Sequence, residues 1–299
     1  MEHDFGLHII NSDGTDMRPI TSEELLQRGL LFHLPFVPGE MVKQAEEAGH
    51  FRRHFSVLPL FSYNHIRWLP DGSAWIEPGE DGLYIIRADG TGSTRVIEGS
   101  VYYFDLSPDG RTIAYAEGKT ISSINTDGSE QRELARFQAQ VGDVRWSPGG
   151  DQILISTSRH SSPISGDDLY VVDFDTQRVQ SLFHLTHFDK CYLVYPQWSV
   201  DGQRVEFIMC DWGRDGIYIN VFSSLTKDGN DQQQVAQITG SNGCVSYRAW
   251  SPNHAQFIFS MVPGFAYEGL YVYDISSEHH RPILSGYVAV GPMLWAPSP

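Results

Sequence analysis

The chain has 299 residues, of which 41% are hydrophobic and 12% aromatic, so it can bury a core and is not a disordered segment. Its formal net charge of −16 argues against nucleic acids and anionic membrane surfaces as partners, because both attract basic proteins. The sequence has no apolar stretch of the length that crosses a membrane. We therefore expect no nucleic-acid and no membrane partner.

The N-terminus and the cysteines bear on cellular location. Residues 1–10 have neither the basic start nor the apolar segment of a secretion signal. Cys191, Cys210 and Cys244 are too few for a disulfide scaffold, and their odd number indicates reduced thiols. We therefore predict a cytoplasmic protein.

The first elements in chain order are a strand pair and an insertion. Residues 6–10 are a short apolar run that leads to a polar turn at 13–14, a pattern typical of antiparallel strands. Residues 22–63 then interrupt the strand pattern, and Thr21 with Glu24 forms the capping box of a helix start. We predict a mainly helical insertion, which either covers the centre of the domain as a lid or packs on the first repeat.

After the insertion, the chain repeats a motif of the form Trp-Ser-Pro-Asp-Gly. Proline presets φ, aspartate bonds its own backbone and glycine accepts a positive φ, so the motif predicts a tight turn between two strands. The tryptophan position of the motif recurs at 68, 106, 146, 198, 250 and 295, with spacings of 38 to 52 residues. This period is typical of a four-stranded propeller blade.

Each complete motif is followed by a second strand-like run. These runs lie at residues 82–86, 120–124, 168–172, 216–219 and 269–273. Each unit therefore has four strands, A to D, while residues 6–10 begin a C–D pair without A and B, and residues 294–297 are an A strand alone. The two ends together complete one blade, which closes the ring and protects its edges. We predict an all-β, six-bladed β-propeller that forms a single domain over residues 1–299.

The repeat resembles that of the TolB-type propellers over nearly the whole chain. This resemblance implies a propeller fold, which in that group serves binding proteins, gating domains of peptidases and lyases. Residues 64–74 also resemble oligogalacturonate lyases, in which a channel histidine just before the motif binds a metal. That histidine corresponds to His65, whereas Tyr195 and Tyr247 occupy the places of the later histidines. We therefore expect no cofactor.

The innermost strands carry the candidate site. Strand A is innermost in a blade, and its alternate side chains point towards the central channel. The position three residues before the tryptophan is occupied by His65, Tyr103, Asp143, Tyr195 and Tyr247. The position one residue before it is occupied by Arg67, Asp105, Arg145 and Gln197. In the fifth repeat, Arg248 lies between these two positions. Tyrosine and arginine suit a peptide segment or a small anionic ligand. Alternatively, Arg67, Asp105 and Arg145 pair with one another and the tyrosines line a water-filled pore.

Two loops on the same face hold further candidates. Residues 211–216 predict a turn that presents Trp212 and Arg214, a combination typical of protein-binding hot spots. His184, His187 and Cys191 share another loop with a spacing that zinc accepts. Loop histidines are more often simply solvated, so we predict no metal there.

Three functions are compatible with these residues. We predict a non-catalytic binding propeller that recognises a peptide, a protein segment or a small anionic ligand at the channel mouth. The alternative is a sugar-acid lyase or hydrolase-like enzyme that uses His65, Arg67, Tyr195 and Tyr247 in the channel. A third role is architectural, as part of a multiprotein assembly.

Overall fold

The computed structural model describes residues 8–9, 15, 17–19, 66–79, 81–158, 167–185, 191–212, 218–241, 245–251, 255–261 and 269–284. The described residues form strands and turns, with no helix among them and hence none that could span a membrane. The predicted insertion at 22–63 and the last predicted strand at 294–297 lie outside the described residues.

The strands within the described ranges form one short pair and five four-stranded sheets, which we number blade 1 to blade 5. The short pair is β1 (His8–Ile9) with β2 (Arg18–Pro19). Blade 1 contains β3 (Arg67–Trp68), β4 (Ala74–Pro78), β5 (Gly82–Arg87) and β6 (Ser93–Glu98), and blade 2 contains β7 (Phe104–Leu106), β8 (Thr112–Glu117), β9 (Thr120–Asn125) and β10 (Arg132–Arg136). Blade 3 contains β11 (Gln140–Trp146), β12 (Gln152–Ser158), β13 (Asp168–Asp173) and β14 (Val179–His184). Blade 4 contains β15 (Cys191–Trp198), β16 (Arg204–Trp212), β17 (Tyr218–Thr226) and β18 (Gln233–Ser241), and blade 5 contains β19 (Ser246–Trp250), β20 (Gln256–Met261), β21 (Gly269–Asp274) and β22 (His279–Leu284).

Every blade is an antiparallel meander in which each strand pairs with the next one along the chain. The first strands of neighbouring blades contact each other, because β11 touches both β7 and β15. In blades 2, 3 and 4 the first strand is therefore the innermost, as in a β-propeller. The all-β fold and the A-to-D order of the repeats are confirmed. The closing sixth blade stays a prediction, although β1 and β2 form the antiparallel pair expected at the N-terminus.

The repeated turn is held by its own polar side chains. In blade 2, the Ser107 hydroxyl donates to Oδ1 of Asp109 at 2.6 Å and accepts the backbone N–H of Thr112 at 2.9 Å. The N–H of Gly110, whose φ is 74°, donates to the Ser107 carbonyl at 2.8 Å. Ser199 and Asp201 repeat the hydroxyl–carboxylate bond in blade 4. The predicted turn chemistry is confirmed.

The proline and glycine of the motif also set the spacing between blades. The glycine of one turn lies against the proline of the preceding blade in the pairs Gly110–Pro70, Gly150–Pro108 and Gly202–Pro148. A Cβ on Gly110 would lie 2.5 Å from Cδ of Pro70, a distance that real carbon contacts do not reach. The glycine therefore serves two purposes, since it permits the turn and lets the next blade approach.

Gly110→Ala is expected to lower the free energy of unfolding by about 2–4 kcal/mol, since alanine would combine a strained φ with overpacking against Pro70. Gly128→Ala is the matched control, because Gly128 has a φ of 85° but nothing within 4 Å of its Cβ position. It should lose only the backbone part, about 1–2 kcal/mol. Urea unfolding followed by tryptophan fluorescence measures both variants. Equal losses would mean that the contact between blades 1 and 2 contributes nothing.

The hydrophobic cores lie between successive blades. Between blades 3 and 4, Leu154 and Leu169 pack with Trp198, Val205 and Phe207. Equivalent clusters join blade 1 to blade 2, blade 2 to blade 3 and blade 4 to blade 5. Blades 2, 3 and 4 thus bury both of their faces, which explains why their strands are apolar runs rather than simple alternations.

Blade 4 differs from its predicted boundaries. Strands β16, β17 and β18 have nine residues each, and β16 extends into the segment 211–216 that was predicted as a turn. Trp212 is the last residue of β16, paired with Tyr218, and Cys191 is the first residue of β15, paired with Asp211. Asp211 and Trp212 therefore belong to a strand rather than to the predicted turn, whose remaining residues, 213–216, lie outside the described residues, and the prediction of a loop at Cys191 is wrong. The aromatic and aliphatic residues of these segments continue the ladder because the neighbouring strand is equally long.

Candidate functional site

Bulges mark the innermost strands at the candidate positions. The pairing register shifts between Val141 and Val144 in β11 and between Val194 and Gln197 in β15. The same shift occurs between residues 246 and 249 in β19. Asp143, Tyr195 and Tyr247 lie within these shifts. A bulge redirects side chains and is frequent next to functional sites, so the strands change direction where the predicted ring lies.

Tyr195 has an unusual backbone at its bulge. Its φ is 54°, in the left-handed region that residues other than glycine rarely adopt. Its ring is half-buried and packs against the apolar cluster between blades 4 and 5. Backbone strain of this kind costs of order 1–3 kcal/mol and persists where the surroundings impose it.

Asp105 joins three blades at the centre of the site. Its Oδ1 accepts a hydrogen bond from Nε of Arg67 in blade 1, and its Oδ2 accepts the backbone N–H of Trp146 in blade 3 at 2.8 Å. The exposed side-chain fractions are 20% for Arg67 and 13% for Asp105. Arg67 also donates from Nη1 to the Ile66 carbonyl at 2.9 Å. This pair agrees with the alternative in which channel charges neutralise one another.

Asp143 and Arg145 form a second ion pair on the innermost strand of blade 3. Nη2 of Arg145 lies 3.0 Å from Oδ1 of Asp143, and the two side chains are 17% and 26% exposed. Nη1 of Arg145 donates to the Val144 carbonyl at 2.8 Å, and the Asp143 backbone N–H donates to Oγ of Ser156 at 2.8 Å. The two side chains share a face of the strand, as the predicted alternation required.

Tyr103 and Arg67 lie near this pair. Burial, reinforced by the Asp143 carboxylate, raises the pKa of Tyr103 to about 12. Burial also lowers the pKa of Arg145, and the Asp143 carboxylate acts in the opposite direction. The positive charge of Arg67 lowers this pKa further, whereas the Asp105 carboxylate raises it. The guanidinium nevertheless stays charged. The structure thus brings together residues of blades 1, 2 and 3, namely Arg67, Tyr103, Asp105, Asp143 and Arg145.

Gln197 lies on the innermost strand of blade 4 and binds an acid that the sequence analysis did not single out. Its Nε2 donates to Oε2 of Glu206 at 3.0 Å, and Glu206 is only 5% exposed. Glu206 interrupts the run 205–210 of β16, whose other residues are apolar, and an ionisable residue at such a position was the signal that could have identified it.

For several predicted site residues, the structure does not describe the side chain. His65, Arg214 and His187 lie outside the described residues. The backbones of Trp212, Tyr247 and Arg248 belong to β16 and β19, and their side chains lie outside what the structure describes. Their part in a site stays a prediction.

The residues considered for a metal have other contacts. Nδ1 of His184 contacts Oδ1 of the buried Asp168 on the adjacent strand. Cys191 is a free thiol, and burial raises its pKa to about 11, with a further contribution from Asp211. Within the described ranges, no three histidine, cysteine or acidic side chains form a group able to hold a metal ion.

The cysteines correct one prediction. Cys210 is disulfide-bonded, so the expectation of reduced thiols is wrong at this residue. An odd cysteine count is compatible with one disulfide and one thiol, and only the spatial proximity of two strands decides between these states.

Comparison with known proteins adds information on the fold. The sequence matches no established family profile and no curated protein. Among solved structures, an oligogalacturonate lyase in complex with manganese is similar with a TM-score of 0.58 and 10% identity, over 74% of this chain and 64% of the lyase. A TolB protein from Agrobacterium tumefaciens has a TM-score of 0.53 and 17% identity, over 77% of this chain and 84% of that protein. A puromycin hydrolase mutant has a TM-score of 0.52 and 15% identity, over 75% of this chain and 37% of the hydrolase.

These likenesses concern the fold. The identities are too low to transfer an activity, and the chain spans only 64% of the lyase's length. Structures with this fold include enzymes as well as TolB proteins, so the architecture is shared between unlike functions. The chain resembles TolB-type proteins and oligogalacturonate lyase at the level of the fold, and its fold is a TolB-like β-propeller.

Proposed function

We propose that this protein is a non-catalytic binding propeller that recognises a peptide or protein segment, or a small anionic ligand, at the mouth of its central channel. The observation that carries the proposal is the partly exposed Asp143–Arg145 ion pair on the innermost strand of blade 3, together with Tyr103, which directly precedes β7 and packs against the cluster between blades 2 and 3. These side chains are only partly buried, so they combine a fixed position with access to solvent.

Each group has a role in binding. The Tyr103 ring offers apolar area together with a hydroxyl, and the Arg145 guanidinium offers a planar set of donors. Arg67 and Asp105 hold the three blades together beneath them, so that the binding groups are positioned before a ligand arrives. The strong negative charge of the chain makes nucleic acid an unsuitable partner.

Two wider features belong to the same proposal. The ring closes with a sixth blade to which residues 6–19 and 294–297 contribute, and the β1–β2 pair supports the first half of it. A cytoplasmic location stays a prediction, and the disulfide at Cys210 weighs against it.

The proposal is tested with a displayed library of random peptides and with galacturonate as a small anionic probe. Arg145→Gln should weaken binding of the selected probe about tenfold or more, since it removes charge-assisted hydrogen bonds worth about 1.5–3 kcal/mol. Arg111→Gln is the matched control, because Arg111 is exposed on the opposite, short-turn side of blade 2. Affinities come from calorimetric titration. The proposal is wrong if neither probe binds, or if Arg145→Gln binds as well as the parent protein.

The strained backbone of Tyr195 favours a second candidate, an enzyme that acts on sugar acids in the channel, because such strain clusters at active sites. His65, Arg67, Tyr195 and Tyr247 would supply its groups. Incubation with oligogalacturonate, with and without Mn²⁺, tests it through the ultraviolet absorbance of the unsaturated product. Product formation that is lost in Tyr195→Phe would replace the binding function by the enzymatic one.

A further inference from the structure

The charge balance of the candidate site restricts the ligand that it can accept. Arg67 and Arg145 supply two positive charges, and Asp105 and Asp143 supply two negative charges, in direct pairs. The formal charge of this group is therefore zero. A simple anion placed against Arg145 would also lie close to the Asp143 carboxylate, so attraction and repulsion would largely cancel.

Both members of the Asp143–Arg145 pair can form further hydrogen bonds. An arginine has five N–H groups, and within the described part of the chain Arg145 uses two of them, towards the Val144 carbonyl and Oδ1 of Asp143. Asp143 accepts this bond through Oδ1, so its Oδ2 can accept another donor. The pair thus presents donors and an acceptor side by side. With 17% and 26% of their side chains exposed, both can reach a bound molecule.

We propose that the Asp143–Arg145 pair recognises a neutral dipolar group, the C=O and N–H of a peptide backbone, in preference to a simple anion. Arg145 donates to the carbonyl oxygen, and Asp143 accepts from the N–H. This inference rests on the proposed binding function and selects the peptide segment over the small anion. The Tyr103 ring, which packs against the cluster that contains Val141 and Val144, supplies apolar area against which the chain of such a peptide packs.

The test uses the indole of Trp198 as a local reporter, because its Nε1 donates to the Arg145 carbonyl at 3.1 Å. Protein with ¹⁵N-labelled tryptophan is titrated with two probes, a blocked alanine tripeptide without charges and galacturonate. In the parent protein, the blocked peptide should shift the Trp198 signal at lower concentration than galacturonate does. Trp198→Phe assigns the signal.

Asp143→Asn should reverse this preference. Loss of the carboxylate leaves Arg145 unbalanced, so galacturonate should bind about tenfold more tightly, whereas the peptide should bind more weakly. An increase in affinity cannot result from partial unfolding. Asp109→Asn is the matched control, since Asp109 lies in an exposed turn at the other end of blade 2, and it should leave both affinities unchanged.

The possible outcomes distinguish a failure of the binding function from a failure of the preference for a dipolar group. If neither probe moves the Trp198 signal in the parent protein, the binding function itself is wrong. If galacturonate binds more tightly than the blocked peptide, or if Asp143→Asn does not strengthen galacturonate binding, the binding function stands and the preference for a dipolar group is wrong.

Discussion

Asp105→Ala is expected to lower the free energy of unfolding by about 3 kcal/mol or more. The Asp105 side chain is 13% exposed, and its carboxylate accepts hydrogen bonds from Arg67 of blade 1 and from the backbone of Trp146 of blade 3. Its removal leaves a partly buried guanidinium and a buried N–H without their acceptor, and breaking such a pair is strongly destabilising. Urea unfolding, followed by the fluorescence of the tryptophans, measures the loss.

Two further variants separate the contributions at Asp105. Asp105→Asn retains an oxygen for the Trp146 N–H but cannot neutralise Arg67, so its loss should be intermediate. Asp109→Ala is the surface control, because Asp109 bonds only within its own exposed turn, to Ser107 and Arg111, and it should cost about 1 kcal/mol or less. If Asp105→Ala were as mild as Asp109→Ala, the role of Asp105 as a link between blades would be refuted.

Phe257→Ala is expected to cost about 3–5 kcal/mol, the usual range for a buried phenylalanine. Phe257 is fully buried in the cluster between blades 4 and 5. Its ring centroid lies 4.5 Å from that of Phe222, 5.0 Å from that of Trp250 and 5.0 Å from that of the stacked Tyr273. Alanine would leave a cavity at the junction of the two blades and remove these ring contacts.

The controls for Phe257 distinguish volume from position. Phe257→Leu retains most of the side-chain volume and should cost less than the alanine variant. Val200→Ala removes an apolar side chain that is 66% exposed and should change stability by no more than about 0.5 kcal/mol. Thermal unfolding monitored by circular dichroism compares all three. If the Phe257→Ala protein had the same melting temperature as the parent protein, blade 5 would not belong to the unit that unfolds cooperatively.

The repeat could be predicted from the sequence because its residues interact with near neighbours in the chain. Ser107, Asp109 and Gly110 satisfy one another within a single turn, so their order in the chain is sufficient to predict the hairpin. Strand lengths in blade 4 were mispredicted, because whether residues such as Cys191 and Trp212 extend a strand depends on the length of the strand beside it. The same holds for the bulge at Asp143, which exists only relative to its partner strand.

In the candidate site, too, the sequence predicted the local features but not the contacts between distant segments. Alternation along the innermost strands correctly placed Asp143 and Arg145 on one side, where they meet at 3.0 Å. It gave the pairing of Arg67 with Asp105 only as an alternative and did not foresee the bond from the Trp146 backbone to Asp105; these partners of Asp105 lie 38 and 41 positions away in the chain. It also passed over Glu206, whose partner Gln197 lies on the adjacent strand.

The amino-acid order by itself determined the blade unit, its turns and the polar side of the innermost strands, since these depend on contacts between near neighbours in the chain. Only the tertiary structure decided which charges neutralise each other, where the strands bulge and that Cys210 is oxidised. The reason is that an ion pair, a register shift or a disulfide is a relation between distant segments, and its energy is defined only once packing has brought them together.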